Sequence, residues 1–213
     1  MSKANITTLF LDIGGVLLSN GWGHGFRKLA AEKFHLDKQE MENRHKIMFV
    51  PFEEGKVTLY EYLDRVVFYK KRDFSHEEFR DFMFSLNTAE MGMINLIKKL
   101  HLQYDLKIVA VNNEAGELNA YRIKTFELNS FIDFFISSCY VKTRKPDAAI
   151  FKMALDISHV CAGEVIYIDD TQLFTEIATG FGIRSILHTD TLSTSIALAA
   201  LGFHQDQSTI IHA

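Results

Sequence analysis

Leu9-Phe10-Leu11-Asp12-Ile13-Gly14-Gly15-Val16-Leu17 is the stretch from which the fold follows. Three apolar residues run without polar alternation, the pattern of a strand buried on both faces of a parallel sheet. The run stops on a carboxylate, and two glycines come after it. Such a pair lets the backbone turn sharply and approach a ligand closely. Working outward, four further apolar runs have the same texture: Ile108-Val109-Ala110-Val111, Phe134-Phe135-Ile136, Val165-Ile166-Tyr167-Ile168 and Ser185-Ile186-Leu187. Helical patterns lie between them, with Met93, Leu96, Ile97 and Leu100 in one and Ala149, Ile150, Met153, Ala154 and Ile157 in another. Strands alternating with helices predict an α/β fold with a parallel sheet.

Residues 21–87 carry no strand pattern. Phe26, Leu29, Ala30 and Phe34 mark an amphipathic helix, and Asp37 followed by Glu40 starts another. Thr58 with Glu61 and Ser75 with Glu78 have capping-box spacing ahead of apolar positions. Three or four helices are therefore predicted as an insert after the first strand, placed as a cap over the active end of the sheet. The aromatic residues of this segment, Phe49, Phe52, Tyr60, Tyr62, Phe68 and Tyr69, read as a helix-bundle core.

In open parallel sheets, ligands gather beyond the carboxyl ends of the strands. Asp12 follows the first strand, Asn112-Asn113-Glu114 the second, Lys145-Pro146-Asp147 comes after the third, and Asp169-Asp170 closes the fourth. Crowded carboxylates repel one another and call for a cation or a lysine. An oxygen-rich set of this kind suits Mg²⁺, which commonly bridges to substrate phosphate. A carboxylate can also act as a nucleophile and form an acyl-phosphate.

These four segments, in this order, resemble the motifs of the haloacid dehalogenase superfamily: Leu9 to Val16, Val109 to Asn113, Arg144 to Asp147 and Ile166 to Asp170. The resemblance runs from Thr8 to about Leu201. It implies a Rossmann-like core built from residues 1–18 and 88–213, with residues 19–87 as the helical cap. It also implies that Asp12 is the nucleophile and Lys145 its stabiliser. Asp12, Asp169, Asp170 and the carbonyl of Gly14 would hold Mg²⁺, and Asn112, Asn113 and Lys145 would hold phosphate. The expected activity is a phosphatase acting on a small phosphorylated metabolite.

Two positions depart from the family pattern. Where its phosphatases carry a second aspartate acting as general acid and base, this chain has Gly14; where they carry Ser or Thr for phosphate, it has Asn112. General acid catalysis contributes roughly 10²–10⁴-fold, so the first departure is the serious one. In the glycine-flanked loop that follows, Trp22 and His24 are candidates to face the substrate, with His24 a stand-in for the acid. Two alternatives stay open: a non-catalytic protein binding a phospho-ligand or a protein partner, and a metal-independent 2-haloacid dehalogenase.

The totals exclude other classes. A formal charge of −4 with pI near 6.1 gives no footprint for nucleic acid. No apolar stretch reaches the roughly 18 residues of a membrane span, and the N-terminus lacks the order of a secretory signal. Cys139 and Cys161, in apolar surroundings, read as buried or free thiols, which points to a reducing, cytoplasmic setting. A monomer or homodimer is expected. The polar end from about His204 to Ala213 reads as poorly ordered or as cover for a partner chain.

Overall fold

A computed structural model of the protein describes residues 5–204, so the polar end beyond His204 lies outside the described residues. The first strand, β1, spans Thr8–Leu11. Four helices follow it: α1 (His24–Lys33), α2 (Lys38–Glu53), α3 (Leu59–Val66) and α4 (His76–Ser85). Then come α5 (Met91–Tyr104), β2 (Lys107–Asn112), α6 (Gly116–Thr125), β3 (Phe134–Ser137) and the single turn α7 (Ser138–Val141). The chain continues through α8 (Ala149–Ser158), β4 (Val165–Asp169), α9 (Gln172–Gly180), β5 (Arg184–Leu187) and α10 (Thr191–Ala200).

The five strands pair in parallel in the order β3-β2-β1-β4-β5. β1 is central, flanked by the two strands that lead away in opposite directions. This is the switch point at which parallel sheets leave a crevice. Side chains alternate across the sheet. Leu9, Leu11, Ile108, Ala110, Ile166 and Ile168 face α5 and α10, while Phe10, Val109, Val111, Val165 and Tyr167 face α8 and α9. Being covered on both sides is what made these strands unbroken apolar runs. The edge strands differ from that expectation: Phe134 and Leu187 are about two-fifths exposed, because only one neighbour and fewer helices cover them.

The inserted helices start as their caps predict. Thr58 and Ser75 each accept the N3 backbone N–H, and Glu61 and Glu78 return the bond to the cap N–H. Asp37 caps α2 by accepting from the Glu40 N–H. Their apolar faces form a separate cluster around Tyr62, Leu63, Val66, Phe79 and Met83, which closes onto Ala115 and Leu118 of the core. Phe52 stacks on Tyr62 at 4.0 Å between centroids. Phe49, Tyr60 and Tyr69 lie outside this cluster, and Tyr60 is about two-fifths exposed. The thiols split: Cys139 is buried and Cys161 is exposed, and both are free. None of the described helices is long and apolar enough to cross a membrane.

Candidate active site

Asp12 is the first residue beyond β1, and its N–H still bonds the Ile168 carbonyl of β4 at 2.9 Å. Register alone therefore sets Asp12 beside Asp169, the last residue of β4. One carboxylate oxygen from each of Asp12, Asp169 and Asp170 lies within 4.8 Å of the others. Lys145, fully buried, arrives from the segment between α7 and α8. Its Nζ is 3.2 Å from Asp12 and 2.6 Å from Asp169, and it also donates to the Tyr167 hydroxyl at 3.1 Å. The Tyr167 hydroxyl in turn donates a very short bond to Asp169.

The electrostatics follow from this packing. Burial pushes the Asp12 carboxyl up to about 7; Lys145 opposes the shift, and Asp169 and Asp170 add to it. Burial would lower the Lys145 ammonium, but Asp12 and Asp169 outweigh it and hold its pKa above the usual lysine value. Three carboxylates and one ammonium leave an excess of negative charge. Such a cluster fits a metal site.

Several backbone and side-chain devices fix these groups. The Asn113 amide donates to the Lys145 carbonyl, and its oxygen accepts the Lys145 N–H, both at 2.9 Å. Asp12 accepts the Ile13 N–H at 2.8 Å, and Asp169 accepts the Thr171 N–H at 2.7 Å. Gly15 has φ +76, and a Cβ there would overlap the Asp170 carboxylate. Gly15→Ala is therefore expected to lower stability by about 1–3 kcal/mol through left-handed strain and displacement of Asp170. A denaturant midpoint equal to wild type would contradict this.

A cleft of about 1010 Å³ opens over the cluster, lined by Asp12, Gly14, Asn113 and Asp170 on the core side. One face of α2 forms the opposite wall, with Gln39, Glu42, Asn43, Lys46, Phe49 and Glu53 at helical spacing. The remaining residues named from the sequence fall in different places. Asn112 is buried and does not line the cleft: its amide donates to Asn119 at 3.0 Å and its oxygen accepts from Ser137 at 2.7 Å. Trp22 is among the residues lining the cleft, but is nearly buried and donates to the Tyr62 hydroxyl at 2.8 Å. His24 opens α1 at the rim, two-thirds exposed, 3.4 Å from Glu42.

Four cleft residues to which sequence reasoning gave no role stand out. The Glu114–Arg122 pair is almost fully buried, and Arg122 also donates to the Ser19 carbonyl at 2.6 Å, tying the loop after β1 to α6. A Cβ at Gly21 would collide with that pair, so only glycine lets the loop lie against it. The signal available was Glu114 directly after a strand-end motif, with Arg122 eight residues on. The other two are His45 and Glu53. Tyr62 accepts from Trp22, and its hydroxyl is also hydrogen-bonded to Nδ1 of His45 at 2.7 Å. Burial and the nearby Arg27 pull the imidazole pKa down to about 4, which leaves it neutral.

Comparison with known proteins bears on the family and the fold. The family model of haloacid dehalogenase-like hydrolases matches residues 19–188. A HAD family enzyme from Bacteroides thetaiotaomicron, solved with magnesium and inorganic phosphate, superposes with a TM-score of 0.74 at 18% identity. That match covers 98% of this chain and 100% of the other. An L-2-haloacid dehalogenase superposes with a TM-score of 0.66 at 13% identity, covering 92% and 100%. The pig (Sus scrofa) bifunctional epoxide hydrolase 2 is 37% identical over 65 residues, 30% of this chain. The match takes in only 12% of that relative's length. The two structural likenesses bear on fold alone. The family match spans most of the chain and takes in Lys145, Asp169 and Asp170, while β1 and Asp12 lie just ahead of the matched residues. The chain belongs to the haloacid dehalogenase-like hydrolases.

Proposed function

We propose that this protein is a Mg²⁺-dependent phosphatase of small phosphorylated metabolites, with Asp12 as the nucleophile. The observation that carries this reading is the grouping of Asp12, Asp169 and Asp170 within 4.8 Å. Attack on a carbon–halogen bond needs no cation, and three adjoining carboxylates would then be an electrostatic burden. An all-oxygen donor set at the mouth of a cleft is of the type that Mg²⁺ prefers. Asp12, Asp169, Asp170 and the Gly14 carbonyl would hold the ion, which neutralises phosphoryl oxygens when bound.

The chain's own groups do the rest. Asp12 carries one oxygen fixed by the Ile13 N–H and the other facing Lys145. Attack on phosphorus forms an aspartyl-phosphate and releases the alcohol. Lys145 balances the charge on Asp12 and on the arriving phosphoryl group. With Asn112 engaged inside the fold, the phosphate contact we assigned it falls to Asn113. That amide uses one N–H on Lys145 and keeps the second for a phosphate oxygen. Water then attacks the phosphorus and frees Asp12. Residues 19–87 act as the cap over the core of 1–18 and 88–213, and α2 and Trp22 supply its substrate-facing wall. The free thiols fit a cytoplasmic setting.

Gly14 favours one competing reading, 2-haloacid dehalogenation, because that chemistry needs no general acid. A panel of phosphate esters assayed with Mg²⁺ and with EDTA separates the two. Phosphate release that EDTA abolishes is the expected outcome. Chelator-insensitive chloride release from a 2-haloacid, with no phosphate released from any ester, would replace this reading with the other.

A further inference from the structure

Position 14 offers no proton donor, so a leaving alkoxide must find its proton elsewhere in the cleft. The acidic groups lining it are few, and most are already committed. Glu42 gives both oxygens to Arg27, each at 2.9 Å. Glu114 gives one to Arg122 and one to the Ala115 N–H. Asp170 meets Asn20 and Thr171 and belongs to the carboxylate cluster. His45 is held neutral, and a neutral imidazole is too weak an acid to protonate an alkoxide in step with cleavage. His24 stands at the exposed rim beside Glu42.

Glu53 differs from all of these. It is the last residue of α2 and lines the cleft with a side chain 17% exposed. Oε2 accepts from Nε of Arg144 at 2.8 Å, and Oε1 has no hydrogen bond among the described residues. Its carbonyl accepts the Ser138 hydroxyl at 2.6 Å, and that hydroxyl accepts the Glu114 N–H at 3.0 Å. The helix end is thereby fixed over the carboxyl ends of β2 and β3. Arg144 is the residue before Lys145, which touches Asp12.

We propose that Glu53 is the catalytic acid and base of the site, delivered from the inserted helices in place of the carboxylate missing at position 14. The inference rests on the phosphatase reading above. As Asp12 bonds to phosphorus and the ester P–O bond breaks, the Glu53 carboxyl gives its proton to the departing oxygen. The resulting carboxylate then takes a proton from the water that attacks the aspartyl-phosphate, and the P–O bond to Asp12 breaks. The net change is ester plus water to alcohol plus phosphate. Burial pushes the Glu53 carboxyl up to about 7; Arg144 and Lys145 oppose this and Glu114 reinforces it. A donor near neutrality is what such a step needs.

The test uses the Mg²⁺-loaded protein and two esters that differ in leaving group: p-nitrophenyl phosphate, whose phenolate leaves with little help, and β-glycerophosphate, whose alkoxide needs a proton. Glu53→Gln keeps an acceptor for Arg144. It is expected to lower kcat on β-glycerophosphate by roughly 10²–10⁴-fold, and by at least about tenfold more than on p-nitrophenyl phosphate. In wild type, kcat/KM for β-glycerophosphate should fall as pH rises through about 7, because the protonated form is the donor, and Glu53→Gln should flatten that limb. Equal losses on both esters, or none, would leave Glu53 as a helix latch and overturn the proposal. So would a wild type that cleaves p-nitrophenyl phosphate but not β-glycerophosphate. A wild type with no chelator-sensitive activity on either would bring down the phosphatase reading as well. Carboxyl ¹³C titration of Glu53 in the wild-type protein keeps the test open if the variant folds poorly. A midpoint near neutrality supports the assignment, and one in the ordinary glutamate range overturns it.

Discussion

Asp12→Asn abolishes phosphate release, with an expected loss of roughly 10⁴–10⁶-fold in kcat, the scale seen when a nucleophile is removed. The amide is the same size as the carboxylate and still offers an oxygen to the Ile13 N–H, so the local backbone has no reason to move. Lys145 keeps Asp169 as its partner at 2.6 Å. The thermal midpoint of the variant should therefore stay close to wild type while turnover vanishes. A rapid acid quench of wild type with substrate should trap phosphate on the peptide bearing Asp12, and the variant should trap none. Residual activity within about tenfold of wild type would remove Asp12 from the mechanism.

Lys145→Met should injure both function and fold. The ammonium is fully buried and sits between two carboxylates. Methionine fills its apolar path but leaves Asp12 and Asp169 facing each other without a positive charge. Removing one partner of a buried ion pair costs about 3–5 kcal/mol, mostly because the other charge is stranded. Denaturant unfolding in EDTA should show a loss of that size, and Mg²⁺ should return part of it, since a cation among the carboxylates compensates for the missing one. A variant as stable as wild type in EDTA would mean that the carboxylates are not held apart by Lys145. Activity should be lost under both conditions.

The central strands and the strand-end residues were legible in the sequence because the physics that builds them leaves a local trace. Val109 to Val111 and Val165 to Ile168 are apolar throughout since helices cover both sheet faces. Asp12, Lys145 and Asp169 could be paired because parallel strands bring their carboxyl ends to one side. Other features left no such trace. α6 buries Asn119 and Arg122 along with Leu118, so its apolar periodicity is hidden by polar residues that find partners only after folding. The Glu53–Arg144 contact joins positions 91 residues apart, and nothing local to either announces it. Asn112 has the right residue type at the right strand end. Its direction depends on Asn119 and Ser137, and neither spacing nor composition states where they will stand.

The central position of β1 has a consequence for how the protein is made. β1 leaves the ribosome ahead of the other four described strands, yet the strands on either side of it begin at Lys107 and Val165. During synthesis the apolar run at its heart stays without its neighbours, while the helices of residues 24–85 collapse onto Tyr62 and Phe79. Pairing between such distant segments is slow, and an unpaired apolar strand is prone to wrong contacts. Asp12 meets Asp169 only when the fourth strand docks. The chemistry of the site is thus a late event in the life of the chain, and any truncation that removes β4 removes it entirely.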